Sequence, residues 1–202
     1  MLTVADWSIR YRKNEKSVDN VVTVYVENII QNVIFYSQAG ADTMATGITS
    51  LMLNFARFPK VQQKCYDELK AQNFQSQNLT DCPYLLATLW ESMRYTTSSY
   101  RTLMHVATQP LDVLGHAVKK GDFIIASLTG IHTAEKYFKD PYQFIPERFL
   151  VDGVYRKDNN LMPFSVGKRS CPGQILAIIM FYHYAKNILR YVYFLIREKG
   201  LC

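Results

Sequence analysis

No proline precedes Pro59, and the stretch from about Asn20 to Phe58 reads as one long helix that Pro59 halts. Its opening segment, VVTVYV, is rich in β-branched residues and taken alone would favour a strand. From Glu27 onward, Ile30, Val33, Ile34 and Ala41 recur at helical spacing, and the helical period decides. A helix of that length commits the chain to a mainly helical fold, and the segments that follow agree. Pro59 opens an amphipathic second helix, PKVQQKCYDELKAQ. Thr80 or Asp81 caps a third, with Pro83 in its first turn, running through YLLATLWESMR. Between Tyr100 and Leu128 short β-rich pieces alternate with turn residues, and KKGD at 119–122 predicts a hairpin ahead of FIIASL. A proline- and aromatic-rich segment, YFKDPYQFIPERFL, leads into VDGVYRKDNN, read as a polar loop, and a last helix spans about Gln174 to Tyr191. The fold class is mostly α with a small β-sheet.

The chain has 202 residues, 49% of them hydrophobic, enough to bury a core as one large domain or two small ones. Charged residues make up 20%, which excludes a disordered tail. No apolar run approaches the ~18–20 residues of a membrane helix. Asp6, Arg10, Arg12 and Lys13 interrupt the N-terminus too early for a signal peptide, so the sequence itself reads as soluble and untargeted. The net charge of +6 describes a solvated basic surface, or one suited to an acidic partner or anionic membrane. No Lys/Arg block interleaves with aromatic residues, and no nucleic-acid partner is expected.

Four cysteines, Cys65, Cys82, Cys171 and Cys202, form neither a CxxC pair nor a zinc spacing, and reduced thiols are expected. Only Cys171 has an unusual setting. FSVGKRSCPG, residues 164–173, puts Arg169 just before it and Pro172 and Gly173 just after, with the last helix beyond. Pro172 suits a helix's first turn, which would put Cys171 at or beside the N-cap, facing the positive end of the helix dipole. Dipole and guanidinium together favour a thiolate. Gly167 and Gly173 would let the backbone turn tightly and approach something flat or bulky. Such a thiolate serves as nucleophile or metal ligand. A nucleophile wants a histidine base, and the nearest along the chain, His183, lies well down the following helix, so the ligand role is favoured.

The pattern Phe164-x-x-Gly167-x-Arg169-x-Cys171-x-Gly173 resembles the haem-binding loop of the cytochrome P450 family. Three further motifs stand in family order. Glu91 and Arg94, one turn apart on a helix face, resemble the ExxR pair. Phe144, Pro146, Glu147, Arg148 and Phe149 resemble the segment whose arginine completes a Glu91–Arg94–Arg148 network. Ala39, Gly40, Ala41, Asp42 and Thr43 resemble the oxygen-activation motif of the central helix.

The resemblance implies roles. Cys171 would be the axial thiolate of haem iron (haem b), pushing electron density toward O–O cleavage. Arg169 would bind a haem propionate. His105, eleven positions after Arg94, falls where animal microsomal members often carry a second propionate ligand. Phe164, Gly167 and Gly173 would pack against or shape the haem loop. Ala39 and Gly40 would open the helix groove over the iron, and Asp42 with Thr43 would deliver protons during oxygen activation. Glu91, Arg94 and Arg148 are structural in this reading, and Ser99 to Leu103, Phe35 and Ala39 are candidates for substrate contact.

The implied activity is a haem-thiolate monooxygenase inserting one atom of O2 into a small apolar organic substrate, with electrons from NADPH through cytochrome P450 reductase or another redox partner. Lys168, Lys157, Lys186 and Arg190 are the candidate docking cations. The alternative is a catalytically inactive fragment with at most a binding or interaction role.

By resemblance, residues 1–202 are a partial domain, the family's C-terminal half, without the N-terminal half and the final strands. The family's expected place is the cytosolic face of the endoplasmic reticulum membrane, whereas this sequence carries no anchor. Thr97 and Ser98 replace family prolines, and Lys119 replaces the hairpin proline. With half the haem pocket wall missing, apolar faces of the central and last helices would meet water, and the chain alone is expected to be unstable or to bind haem weakly.

Overall fold

The computed structural model describes residues 18–195, with side chains from Glu27 onward. Asp6, Arg10, Arg12, Lys13 and Cys202 lie outside the described residues. The described chain is mostly helical with three two-stranded sheets. It divides into two compact units at Asp42/Thr43.

The long helix α1 spans Val18–Arg57, so the VVTVYV segment is helical. Local strand propensity gives way because β-branched residues lower helix propensity only slightly. In the first unit, Ile30, Val33, Ile34 and Phe35 are exposed. The Phe35 and Tyr36 rings meet edge to face at 5.6 Å.

In the second unit, α2 (Pro59–Ala71) and α3 (Pro83–Tyr95) each begin with proline at the first helical position. The N-cap of α3 is Cys82 rather than Thr80 or Asp81, and its side chain makes no capping bond. Glu68 on α2 supplies the acceptors instead: its carboxylate takes the amides of Tyr84 at 2.9 Å and Leu85 at 2.8 Å. Asp81 has a different task, closing a capping box with Asn78 on the short 3-10 turn Leu79–Asp81. Helix α3 is the centre of the unit, buried from Leu85 to Arg94. Leu51 and Phe55 of α1, Leu69 of α2, and Phe181 and Leu189 of the last helix join the same core.

The β-region departs from the sequence expectation in two places. KKGD is a turn: the Asp122 amide donates to the Lys119 carbonyl, and Gly121 adopts φ +94°. Yet the strands beside it do not pair with each other. Strand β3 (His116–Val118) pairs with β2 (Leu111–Val113) across Leu114 and Gly115, both left-handed. Strand β4 (Phe123–Ile124) returns to β1 (His105–Val106). The two-residue left-handed turn matches strand twist, which sets the tight hairpin one element earlier. The segment read as a polar loop holds another such hairpin, β5 (Leu150–Val151) with β6 (Val154–Tyr155), turned by Asp152 and Gly153 at φ +51° and +75°. Helix α4 (Leu128–His132) was not anticipated; its N-cap Ser127 accepts from the Gly130 amide at 3.0 Å. Helix α5 spans Gln174–Tyr191, where the sequence placed it.

Candidate functional site

Glu91, Arg94 and Arg148 come together. The Glu91 and Arg94 side chains have no solvent exposure, and Arg94 Nε and Nη2 donate to the two carboxylate oxygens at 2.8 and 2.9 Å. Nη1 donates to the carbonyls of His132 (2.8 Å) and Pro141 (2.7 Å), and Nη2 also to that of Gln143 (3.0 Å). These bonds use all five guanidinium N–H donors. Glu91 also accepts from the Ile145 amide at 2.8 Å and from Arg148 Nε at 3.2 Å. Arg148 turns its other nitrogens to the carbonyls of Lys139 (2.8 Å) and Asp140 (3.3 Å). The network therefore pins the irregular segment between His132 and Arg148 onto α3.

That segment leads to the cysteine loop. Phe164 is half-buried, its ring edge-on to Trp90 at 6.1 Å, one residue from Glu91. The Cys171 amide donates to the Phe164 carbonyl at 2.9 Å, closing the loop into a compact bulge. Within it Ser165 and Gly167 are left-handed, at φ +61° and +79°. Open space lies where a Cβ on Gly167 would stand, so glycine is there for its backbone. Gly173 differs: at φ −86° any residue would be tolerated, and a Cβ would sit in ordinary contact, 3.8 Å from Cys171 Sγ.

Cys171 is an exposed free thiol. It lies two residues ahead of Gly173, the N-cap of α5, so the expectation of a cysteine at or beside the cap is corrected. Pro172 occupies the turn before the helix rather than its first turn, because Gln174 is the first residue with helical pairing. Arg169 and Lys168 are exposed at the end of a single 3-10 turn, Gly167–Arg169.

His105 is exposed in β1, opposite Ile124 and outside the cysteine loop. Ala39, Gly40 and Asp42 belong to the first unit and Thr43 opens the second; Ala39, Asp42 and Thr43 are exposed and Gly40 half-buried. Of the candidate substrate contacts, Tyr100, Leu103 and Phe35 are exposed. Among the candidate docking cations, Lys157, Lys168 and Arg190 are exposed, but Lys186 is buried, its Nζ donating to the Ser76 carbonyl at 2.9 Å. It is withdrawn from the docking set: a lysine in the middle of α5 turns inward where a carbonyl waits for it.

Sequence reasoning missed two features. His132, assigned nothing, is fully buried, and its Nε2 accepts the Met162 amide at 3.1 Å. Glu147, inside the PERF segment, bonds Lys64 at 2.7 Å and the Tyr84 hydroxyl at 3.1 Å, joining three elements. Burial alone would raise its pKa, but the Lys64 bond and charge bring it below the usual range. No sequence spacing marks either contact.

The cysteine loop fits a flat apolar group that carries its own metal. Val166, Ile175 and Leu176, all within five residues of Cys171, are 62%, 76% and 63% exposed, an apolar surround for one sulfur and one guanidinium. A single thiolate is a complete protein donor set only for a metal whose other ligands arrive with it, as the pyrrole nitrogens of haem do.

Fold and site together describe a mainly helical protein whose buried Glu–Arg–Arg network backs an exposed cysteine loop. Residues 4–200 match the family model for cytochrome P450, and the chain belongs to that family. It is 31% identical over 176 residues to an (S)-canadine synthase of Papaver somniferum, a match covering 82% of this chain and 36% of that protein. A probable cytochrome P450 of Dictyostelium discoideum is 33% identical over 169 residues (80% and 34%). Cytochrome P450 2C3 of Oryctolagus cuniculus is 30% identical over 172 residues (82% and 35%). The matched part of the chain thus spans about a third of these relatives' length.

Proposed function

We propose that the protein to which this chain belongs is a haem-thiolate monooxygenase in which Cys171 is the axial ligand. The observation that carries the reading is an exposed thiol on a family loop, beside exposed apolar side chains. Bound haem would supply the redox chemistry: one atom of O2 enters an apolar organic substrate and the other leaves as water, with two electrons and two protons consumed. The electrons would come from NADPH through cytochrome P450 reductase or another redox partner, on the cytosolic face of the endoplasmic reticulum membrane. No helix among the described residues is long and apolar enough to cross a membrane.

The chain's own residues have simpler tasks. Cys171 presents an exposed free thiol while its amide is tied to the Phe164 carbonyl, and this sulfur would hold the iron. Arg169 would pair with a propionate, and Val166, Ile175 and Leu176 would keep water from the bound macrocycle. His105 remains a candidate second propionate partner. By resemblance to the family, Asp42 and Thr43 would move protons during oxygen activation, with Gly40 and Ala39 leaving room for dioxygen. The Glu91–Arg94–Arg148 network does no chemistry; it fixes the segment that carries the loop.

A second reading, an inactive chain with a binding role, draws on the apolar side chains left in water, Leu103, Phe123 and Ile175 among them. One experiment separates the two. Load the chain with haem, reduce it and add CO: a red-shifted thiolate-type Soret band, lost in Cys171→Ser, supports the monooxygenase. A histidine- or water-type band, or none, supports the second reading.

A further inference from the structure

His132 joins two systems through two different atoms. Its backbone carbonyl receives Arg94 Nη1 at 2.8 Å, and its side-chain Nε2 receives the Met162 amide at 3.1 Å. Met162 begins the path to the thiol: its carbonyl accepts the Ser165 amide at 3.0 Å, and the Phe164 carbonyl accepts the Cys171 amide at 2.9 Å. Beside the ring contact of Trp90 with Phe164, a hydrogen-bonded connection from the buried ion network toward the cysteine loop therefore runs through one imidazole.

The imidazole's protonation is fixed by its partner. An amide can only donate, so Nε2 is bare and the ring proton sits on Nδ1. Nδ1 is buried and has no hydrogen-bond partner among the described residues. A buried donor left unmade is a cost that a space-filling residue would avoid, and leucine would fill the same pocket beside Phe138 without it. The ring is held neutral by burial and by the Arg94 charge, which keeps the acceptor available. Its placement makes sense for what Nε2 does to the loop rather than for its own hydrogen-bonding.

We infer that His132 is a positioning residue for the cysteine loop, coupling the Glu91–Arg94 network to the Met162 amide and so setting the place of the Cys171 sulfur. The inference rests on the haem-thiolate reading only for its consequence at iron; the coupling itself is a property of the chain. Glutamine can present Oε1 where Nε2 stands, whereas asparagine places its oxygen nearer Nδ1 and leucine has none.

The test compares His132→Gln, His132→Asn and His132→Leu in the full chain. Amide hydrogen exchange is read first, without haem. The Met162 and Cys171 amides should exchange about tenfold faster or more in the leucine and asparagine variants, and within about twofold of the parent in His132→Gln. With haem, reduced and under CO, the leucine and asparagine variants should give a smaller thiolate-type fraction, which glutamine restores. Equal loop protection in all four proteins overturns the inference, even with thiolate bands throughout. Global unfolding of the leucine and asparagine variants also overturns it, because His132 would then serve the fold as a whole. A parent chain with no thiolate band refutes the haem reading while leaving the exchange comparison decisive.

Discussion

Replacing Arg94 with lysine keeps the charge and removes the fork. Five bonds leave the guanidinium, two to Glu91 and three to backbone carbonyls of His132, Pro141 and Gln143. An ammonium has three donors, so at least two acceptors lose their partner in a site without solvent exposure at either side chain. At about 1.5–3 kcal/mol for each charge-assisted bond, Arg94→Lys should cost about 3–6 kcal/mol. That is a large part of the ~5–15 kcal/mol that holds a typical domain together. Arg148→Lys is the control. That side chain is 12% exposed, and its bonds to Glu91 and Asp140 are longer, at 3.2 and 3.3 Å, so water can replace them. A cost of about 1 kcal/mol is expected there. Urea denaturation followed by far-UV circular dichroism reads both, provided the slope is unchanged. Costs equal to within about 0.5 kcal/mol would refute the claim that one arginine is the structural keystone and the other an outer clamp.

The remaining expectations are briefer. Burial and the Arg94 charge lower the His132 pKa from about 6.5 to about 4, so the unfolded chain takes up this proton first as pH falls. The stabilisation is complete above about pH 6.5 and is lost toward pH 4, up to about 3 kcal/mol; urea midpoints against pH should fall less steeply in His132→Gln. A Cβ on Gly47 would stand 2.7 Å from Phe181 Cε1, so Gly47→Ala should lower the melting temperature, overpacking at ~1–3 kcal/mol outweighing the helix gain. At Gly40 nothing lies within 4 Å of such a Cβ, and Gly40→Ala should leave the melting temperature unchanged or raise it, by up to about 1 kcal/mol of stability. In the native chain a thiol reagent should modify Cys171 quickly and Cys65 only on unfolding, since Cys65 is fully buried and its thiol pKa is pushed up by burial. Bound haem should protect Cys171 in the same mass-spectrometric assay.

What the sequence disclosed and what it hid divide along physical lines. The helices were legible because prolines and period-3.6 apolar residues act locally: Pro59 and Pro83 start α2 and α3 wherever the rest of the chain goes. The cysteine loop was legible as a motif, since Gly167 and Cys171 are tied to each other by a few residues of backbone. Strand pairing was not, because a turn such as KKGD declares that the chain reverses and says nothing of which strand accepts β4. The Asp152–Gly153 hairpin was overlooked for the opposite reason: its local signal was present, and the charged residues after it suggested a loop.

Long-range polar contacts are the least legible of all. Glu68 caps α3 from α2, Lys186 turns inward to Ser76, and His132 meets Met162 thirty residues away. Each depends on a partner whose position exists only after folding, so no spacing rule reports it. These contacts also explain how an exposed cysteine loop can keep one shape. Its own residues offer little burial, and two of them are left-handed, so its geometry is imposed from behind by Trp90, the arginine network and His132. A loop held that way can leave its sulfur uncovered for a ligand without surrendering its conformation to water.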